Sequence, residues 1–251
     1  MDIINEAQVR DVINSVKPDV IVHGAAMTQV DACEEQREAC WATNVTGTAY
    51  LLRAAEEIGA HFIFISTDFI FDGTKILLTE SAEPAPVNYY GESKLAAERL
   101  VTAYSGRWTI LRTVLVYGVS HDASRSNIVL WVKKSLEEGK SIKVVNDQWR
   151  TPTLAEDLAA ACKLAAERQA EGIFHISGPE LMTPYDIAAA VALFFRLDDD
   201  LIQATDSKAF RQPAARPLKT GFNIDKARRE LGYQPRRFEE GLRIVSAQLG
   251  N

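Results

Sequence analysis

Three short runs of almost unbroken apolar residues, separated by helical patterns, limit what this chain can become. They are Asp19-Val20-Ile21-Val22-His23, Phe62-Ile63-Phe64-Ile65 within a strand over 61–66, and Trp108-Thr109-Ile110-Leu111-Arg112-Thr113-Val114-Leu115-Val116. A strand with one wet face alternates apolar and polar residues, whereas runs like these are covered on both faces. Val9, Val12, Ile13 and Val16 recur at helical spacing over 5–16 until Pro18 stops the pattern. A second helical pattern runs from Cys33 to Ile58 with Gly59 as its C-cap, and a third covers 89–105. Helix alternating with buried strand predicts the α/β class, a Rossmann-like doubly wound parallel sheet.

Less regular patterns follow. A helix over 124–138 leads to a strand over 142–145. A helix over 154–167 precedes the strand Gly172-Ile173-Phe174-His175-Ile176. Thr183 and Pro184 read as the N-cap and first position of the next helix. Residues 204–221 are polar, basic and Pro-bearing, a loop or a lid. Asn223 caps a short helix ending near Gly232, and an amphipathic helix covers 238–248. The expected organisation is a partial Rossmann domain over 1–145 and a smaller α/β substrate lobe over 146–251, with 154–176 returning to the first sheet.

Chemistry-bearing residues sit where such a sheet binds ligands, at the carboxyl ends of its strands. Ser66-Thr67-Asp68 ends the second apolar run. Tyr90 and Lys94 then stand four apart at the start of a helix, on one face. An ammonium beside a phenol favours the phenolate and eases proton exchange, and a strand-end hydroxyl polarises a carbonyl. Together they equip the chain for carbonyl reduction. The plainer readings are a backbone cap for Ser66 or Thr67 and a solvated surface pair for Tyr90 and Lys94. His23, inside an apolar strand, reads as a core histidine. Arg150, Arg211 and Arg216 are candidate bidentate donors to a diphosphate, Arg216 the best of them.

A net charge of −6 supplies no basic surface for nucleic acid or for an anionic membrane. No apolar run approaches the roughly 20 residues that span a bilayer, and no signal peptide opens the sequence, so a cytoplasmic protein is expected. Cys33, Cys40 and Cys162 are an odd number at spacing unsuited to a metal. Reduced structural thiols are expected, with Cys33 and Cys40 on one packed helix face.

The ordered series of motifs resembles the extended short-chain dehydrogenase/reductases, and within them the dTDP-4-dehydrorhamnose reductase group of sugar-nucleotide enzymes. The stretches that carry the resemblance are Val22-His23-Gly24-Ala25-Ala26-Met27-Thr28, Asn44-Val45-Thr46-Gly47-Thr48, Ser66-Thr67-Asp68-Phe69-Ile70-Phe71-Asp72-Gly73 and Tyr90-x-x-x-Lys94. Leu111-Arg112-Thr113, Val116-Tyr117-Gly118, Asp147-Gln148, Pro152-Thr153 and Arg216-Pro217 extend it almost to the end. By that resemblance, Thr67, Tyr90 and Lys94 are catalytic. Thr67 donates to the substrate carbonyl, Tyr90 protonates the developing alkoxide, and Lys94 holds the nicotinamide ribose. Asp2, Ile3, Ala26, Met27, Thr28, Asn44 and Ser66 border the cofactor, NADPH or NADH. Thr67, Asp68, Leu115 and Arg216 border the nucleotide-sugar substrate, although Asp68 also reads as a turn cap. A homodimer through helices 33–58 and 89–105 is compatible with the pattern. A non-catalytic regulatory subunit, like that of methionine adenosyltransferase, is the alternative on the same fold. An epimerase or dehydratase fits less well, since Asp68 lacks the usual companion Glu.

Three departures accompany the resemblance. The Gly-rich turn that cradles a pyrophosphate follows no strand here; the pattern is entered at Asp2-Ile3, where the family's third strand ends. Either Met1 is internal to a longer protein or the chain is a short variant. Strand 19–23 is then expected to form an exposed apolar edge, and cofactor affinity to fall. Leu115 stands where that group usually has Trp, and His23-Gly24 where it more often has Asn-Ala.

Overall fold

The structure, a computed structural model, describes residues 1–120 and 126–250. Helix α1 (Glu6–Val16) is capped by the Asn5 side chain and ends at Lys17 in the left-handed region, one residue before Pro18. Strand β1 (Val20–His23) follows, then α2 (Val30–Glu35). The single helix expected over 33–58 is three pieces. Gln36, at φ −122° and ψ 56°, separates α2 from α3 (Arg37–Trp41). A wide π turn over Ala42–Thr46 then leads into α4 (Gly47–Ile58), which closes on Gly59 at φ 69°. Beyond it lie β2 (His61–Thr67), a 3-10 turn over Asp68–Ile70, α5 (Tyr89–Thr102) and β3 (Trp108–Thr113).

The third apolar run is not one strand. Leu115 takes φ 38°, a conformation that costs a leucine on the order of 1–3 kcal/mol. The chain leaves the sheet there and forms β4 (Val116–Tyr117) elsewhere. Helix α6 (Ile128–Glu137) starts behind Asn127, whose side chain accepts from the amides of Val129 and Leu130; residues 124 and 125 of the expected helix lie outside the described residues. The remaining elements are β5 (Ile142–Val145), β6 (Thr153–Leu154), α7 (Ala155–Glu167), β7 (Gly172–Ile176), α8 (Pro184–Phe195), β8 (Ile202–Thr205) and α9 (Phe238–Gln248). Thr183 and Asp186 form a reciprocal capping box at the start of α8. The short helix expected after Asn223 runs over 225–231, its last five residues a wide π turn (Ala227–Leu231), and ends on Gly232.

The main sheet is parallel throughout, ordered β1-β2-β3-β7. Its alternate side chains enter two different cores. Ile63, Leu111 and Phe174 face a cluster with Ala161, Ala165 and Leu231, while Phe62, Phe64 and Ile110 face one with Val9, Leu51, Ala97 and Val101. Coverage on both faces explains why the runs carry no polar alternation. Among the described residues β1 pairs only with β2, which leaves it at an edge with Val22 48% exposed. A third core joins Tyr117, Val129, Val132, Val144, Ile187, Val191 and Phe238 around the parallel pair β5-β8. The expected boundary at 145 cuts through that core, because α6 and β5 pack with α8 and α9. Among the described residues no helix is long and apolar enough to cross a membrane.

Candidate active site

Strand β2 delivers Ser66 and Thr67 to the carboxyl edge of the sheet. The Thr67 hydroxyl accepts from the Phe69 amide at 3.2 Å, so Thr67, not Asp68, caps the turn. Helix α5 is set against that turn by Asn88, whose side chain accepts from the Gly91 amide at 2.9 Å. A Cβ on Gly91 would lie 2.1 Å from the Phe69 carbonyl oxygen. Gly91→Ala must therefore displace the first turn of α5, which carries Tyr90. A stability loss of about 1–3 kcal/mol is expected, read as a lowered thermal midpoint; an unchanged midpoint would contradict the close approach.

Thr67, Tyr90 and Lys94 line one cavity of about 400 Å³ with Ala26, Thr28, Ser66, Asp68 and Leu115. Ala26, Thr28 and Val116 also border a neighbouring cavity of about 980 Å³, reached by Met27, Tyr117 and Asn127. Asn127 in turn borders an outer cavity of about 490 Å³ with Trp131, Gln148, Phe210 and Arg216. The shared walls make one cleft, running from the sheet edge to the second lobe. The Ser66 hydroxyl is buried in its inner part with no hydrogen-bond partner among the described residues.

Burial dominates the electrostatics. The Tyr90 phenol is pushed above its ordinary range by burial, which the Thr67 side chain only partly offsets. The eased phenolate expected from Lys94 is thus reversed: burial is the largest cause, and the Asp68 and cysteine charges add to it. Lys94 itself is pulled down to about 7 by burial, against the opposing charges of Glu98 and Cys40. Its Nζ donates to the Ile65 carbonyl at 2.8 Å and lies 4.0 Å from the centre of the Phe64 ring.

This has a measurable sign. The unfolded chain holds the extra proton between pH about 7 and 10.5, so burying the ammonium costs stability in full below that window. The cost fades as pH rises through it. The thermal midpoint of Lys94→Met is expected to gain less than the parent between pH about 7 and about 9. Parallel profiles would rule the assignment out.

Asn44 lies in the π turn, a feature that often marks functional sites. Its Oδ1 accepts from the Met27 amide at 2.8 Å while its Nδ2 donates to the Met27 carbonyl at 3.1 Å and the Ser93 hydroxyl at 2.9 Å. It is buried and fixes the loop that lines the cleft. His23 pairs with Thr48 at 3.0 Å and is held neutral, at about 3, by burial and then by the Lys94 charge.

Other expected residues are placed differently. Asp2 and Ile3 form a turn rather than a strand end; Ile3 packs against Gly47 at the start of α4, and neither lines the cleft. The Asp68 carboxylate is buried and receives Thr67 at 3.2 Å, the Thr220 hydroxyl, and Arg150 at 3.6 Å. Arg150 also donates to the Pro217 and Leu218 carbonyls, so its guanidinium is a brace inside the protein and not a diphosphate clamp. Arg216 forms a two-pronged pair with Asp31 on α2, at 2.8 and 2.6 Å. That pair holds the Asp31 carboxyl below its usual range and ties the 204–221 segment across the cleft. Asp31, Asn88 and Ser93 were missed from the sequence. Asn88 alone had a readable signal, a side-chain cap directly before a helical pattern.

The profile described as RmlD substrate binding domain matches residues 1–250. The chain is 36% identical over 202 residues to the Xenopus laevis methionine adenosyltransferase 2 subunit beta, a match covering 78% of this chain and 60% of that protein. It is 33% identical over 237 residues to the Escherichia coli dTDP-4-dehydrorhamnose reductase, covering 90% and 78%. The crystal structure of a Bacillus anthracis dTDP-4-dehydrorhamnose reductase in complex with NADP superimposes with a TM-score of 0.92 at 29% identity, covering 99% of this chain and 87% of that one.

Proposed function

Because the chain belongs to the RmlD substrate binding domain family, we propose that it takes part in NAD(P)H-dependent reduction of the keto group of a nucleotide-activated deoxy sugar. The observation that carries this reading is the meeting of Thr67, Tyr90 and Lys94 in one cavity at the sheet edge. The buried Ser66 hydroxyl without a partner, together with Ala26, Met27 and Thr28 on the cleft wall, fits the nicotinamide riboside end of such a cofactor. The cofactor supplies the hydride when bound.

The residues divide the remaining work. Thr67 Oγ1 turns its one proton from Asp68 to the substrate carbonyl and increases the charge on its carbon. Tyr90 supplies the proton to the alkoxide as it forms; a phenol kept protonated by burial is in the right state to give one up. Lys94, close to neutrality, regains charge when an anionic partner enters, which lowers the cost of the transient phenolate. Asn44 acts through Met27 and Ser93 by positioning. Leu115 borders the sugar, and Arg216, on the outer cavity, meets the diphosphate in exchange for Asp31.

The decisive experiment is oxidation of NADPH and NADH in the presence of dTDP-4-keto-6-deoxy-L-mannose and a panel of nucleotide sugars. Sugar-dependent loss of the reduced cofactor supports the reading; none with any sugar sinks it. A second reading, a regulatory subunit that binds a partner protein without turnover, is favoured by the 36% identity to the frog subunit. It predicts a stable complex with another protein that survives Tyr90→Phe. An epimerase or dehydratase is disfavoured because both oxygens of Asp68 are engaged by protein groups.

A further inference from the structure

Two of the three thiols lie under the cleft, in one packed cluster with Tyr90. Cys33 and Cys40 are both fully buried and unbridged, with Met27, Phe69 and Tyr89 packed around them. Seven residues along a straight helix would separate their Cα atoms by roughly 10 Å, beyond the reach of a disulfide. The break at Gln36 ends that straight course, and both thiols enter one buried cluster beside the Met27 carbonyl, which Cys33 contacts directly and Cys40 reaches through Asn44, whose Nδ2 donates to that carbonyl at 3.1 Å. Cys33 Sγ donates to the Met27 carbonyl at 3.4 Å. Cys40 Sγ accepts from Asn44 Nδ2 at 3.4 Å and lies 3.4 Å from Ser93 Oγ, which in turn donates to the Tyr90 carbonyl at 2.7 Å.

We propose that Cys33 and Cys40 form an oxidisable dithiol, a modification site that peroxide converts to an intramolecular disulfide in the floor of the cleft. Nothing in the proposed reduction uses either thiol. Cys40 is the better nucleophile, its thiol drawn down to about 7 by Cys33 and then by Ser93, Asn44 and the Lys94 charge, while Cys33 is pushed up. The Cys40 thiolate attacks one oxygen of hydrogen peroxide. The O–O bond breaks, and the departing hydroxide takes up a proton to become water. Cys33 sulfur then attacks the sulfenic sulfur; its S–O bond breaks, and a second water leaves carrying the Cys33 proton. Two electrons pass from the two thiols to one peroxide, and the products are one disulfide and two waters.

Access comes through local opening. Helix α2 has six residues and no side-chain N-cap, and Gln36 after it leaves helical geometry. Such a short uncapped piece opens at lower cost than the sheet beneath it. The consequence is geometric. A disulfide holds its sulfurs about 2.05 Å apart, so both must leave their present partners. Asn44 and Ser93 lose Cys40, and Met27 loses Cys33. Those groups position the Met27 loop and Tyr90, so oxidation weakens the site without touching its catalytic atoms.

The test is peptide mapping of the full chain after hydrogen peroxide. Free thiols are expected to fall from three to one, with Cys162 remaining. Trypsin cuts after Arg37, between the two residues, so the bridge appears as a linked peptide pair that separates on reduction. Cys33→Ser is expected to lose the pair and to accumulate sulfenic acid at Cys40. Turnover, where the parent shows it, is expected to drop at least tenfold on oxidation and to return with dithiothreitol. Three free thiols after treatment, or over-oxidation of one cysteine with no linked pair, overturns the proposal. The peptide result stands whether or not the reductase assay succeeds, so failure of one is distinguishable from failure of the other.

Discussion

Replacing Tyr90 by Phe is expected to lower kcat for keto-sugar reduction by about 10²–10⁴-fold, the usual contribution of a positioned general acid. The ring packing survives the change: Phe69 lies edge-on at 5.8 Å, and Cys33 and Cys40 lie in the same cluster. Only the hydroxyl is lost, so the thermal midpoint should move little and KM should change far less than kcat. The comparison is steady-state reduction of the same keto sugar by both proteins, alongside their melting curves. A variant that keeps more than a tenth of parental kcat would show that another donor, or solvent, protonates the alkoxide. Thr67 is the neighbour to suspect, since it is the one side chain that offsets the rise in the phenol's pKa.

A second large effect is expected away from the cleft. Glu98 and Arg112 pair inside the protein, 3.0 Å from Nε to Oε1 and 2.7 Å from Nη2 to Oε2, both side chains at most 4% exposed. Glu98→Gln leaves the guanidinium buried beside Phe71 with a neutral partner. A loss of about 3–5 kcal/mol is expected, because an uncompensated buried charge costs far more than the pair yields. Replacing both partners together, as Glu98→Leu with Arg112→Met, should recover most of it. Urea unfolding of the three proteins decides the point; a single-variant loss near zero would mean that water reaches Arg112. The site feels the same change. Glu98 is the first charge opposing the burial of Lys94, so its removal moves Lys94 further toward the neutral amine. The pH profile of the reaction should shift accordingly.

The sheet was legible because its residues leave no choice. Phe62, Ile63, Phe64 and Leu111 alternate between two cores, and the polar residues that share these strands, such as Arg112 and His61, are buried with partners. Thr67, Tyr90 and Lys94 were legible because strand ends and i,i+4 spacing are local properties. The break at Gln36 was not. Apolar spacing from Cys33 to Ile58 continues through it, and a π turn shifts the helical face by a fraction of a turn that periodicity absorbs. The state of Tyr90 was misread for a different reason. Spacing reports that a cation is near, but only packing reports that both groups are dry, and dryness won. Arg150 and Arg216 were both diphosphate candidates in sequence, Arg216 the better; Arg150 is an internal brace against Asp68 and Arg216 is half of a tie to Asp31.

Leu115 joins these threads. It takes a backbone conformation that leucine rarely adopts, lies between β3 and β4, and packs into both the sheet core and the core of the second lobe. Its carbonyl accepts from the Thr153 amide at 3.3 Å, close to where β4 meets β6. The chain therefore changes lobes at a residue that also borders the cavity. In evolutionary terms this makes the bend a shared constraint: the backbone shape that carries the chain into the second lobe also sets one wall of the cavity, so drift in either lobe is bounded by the same residue.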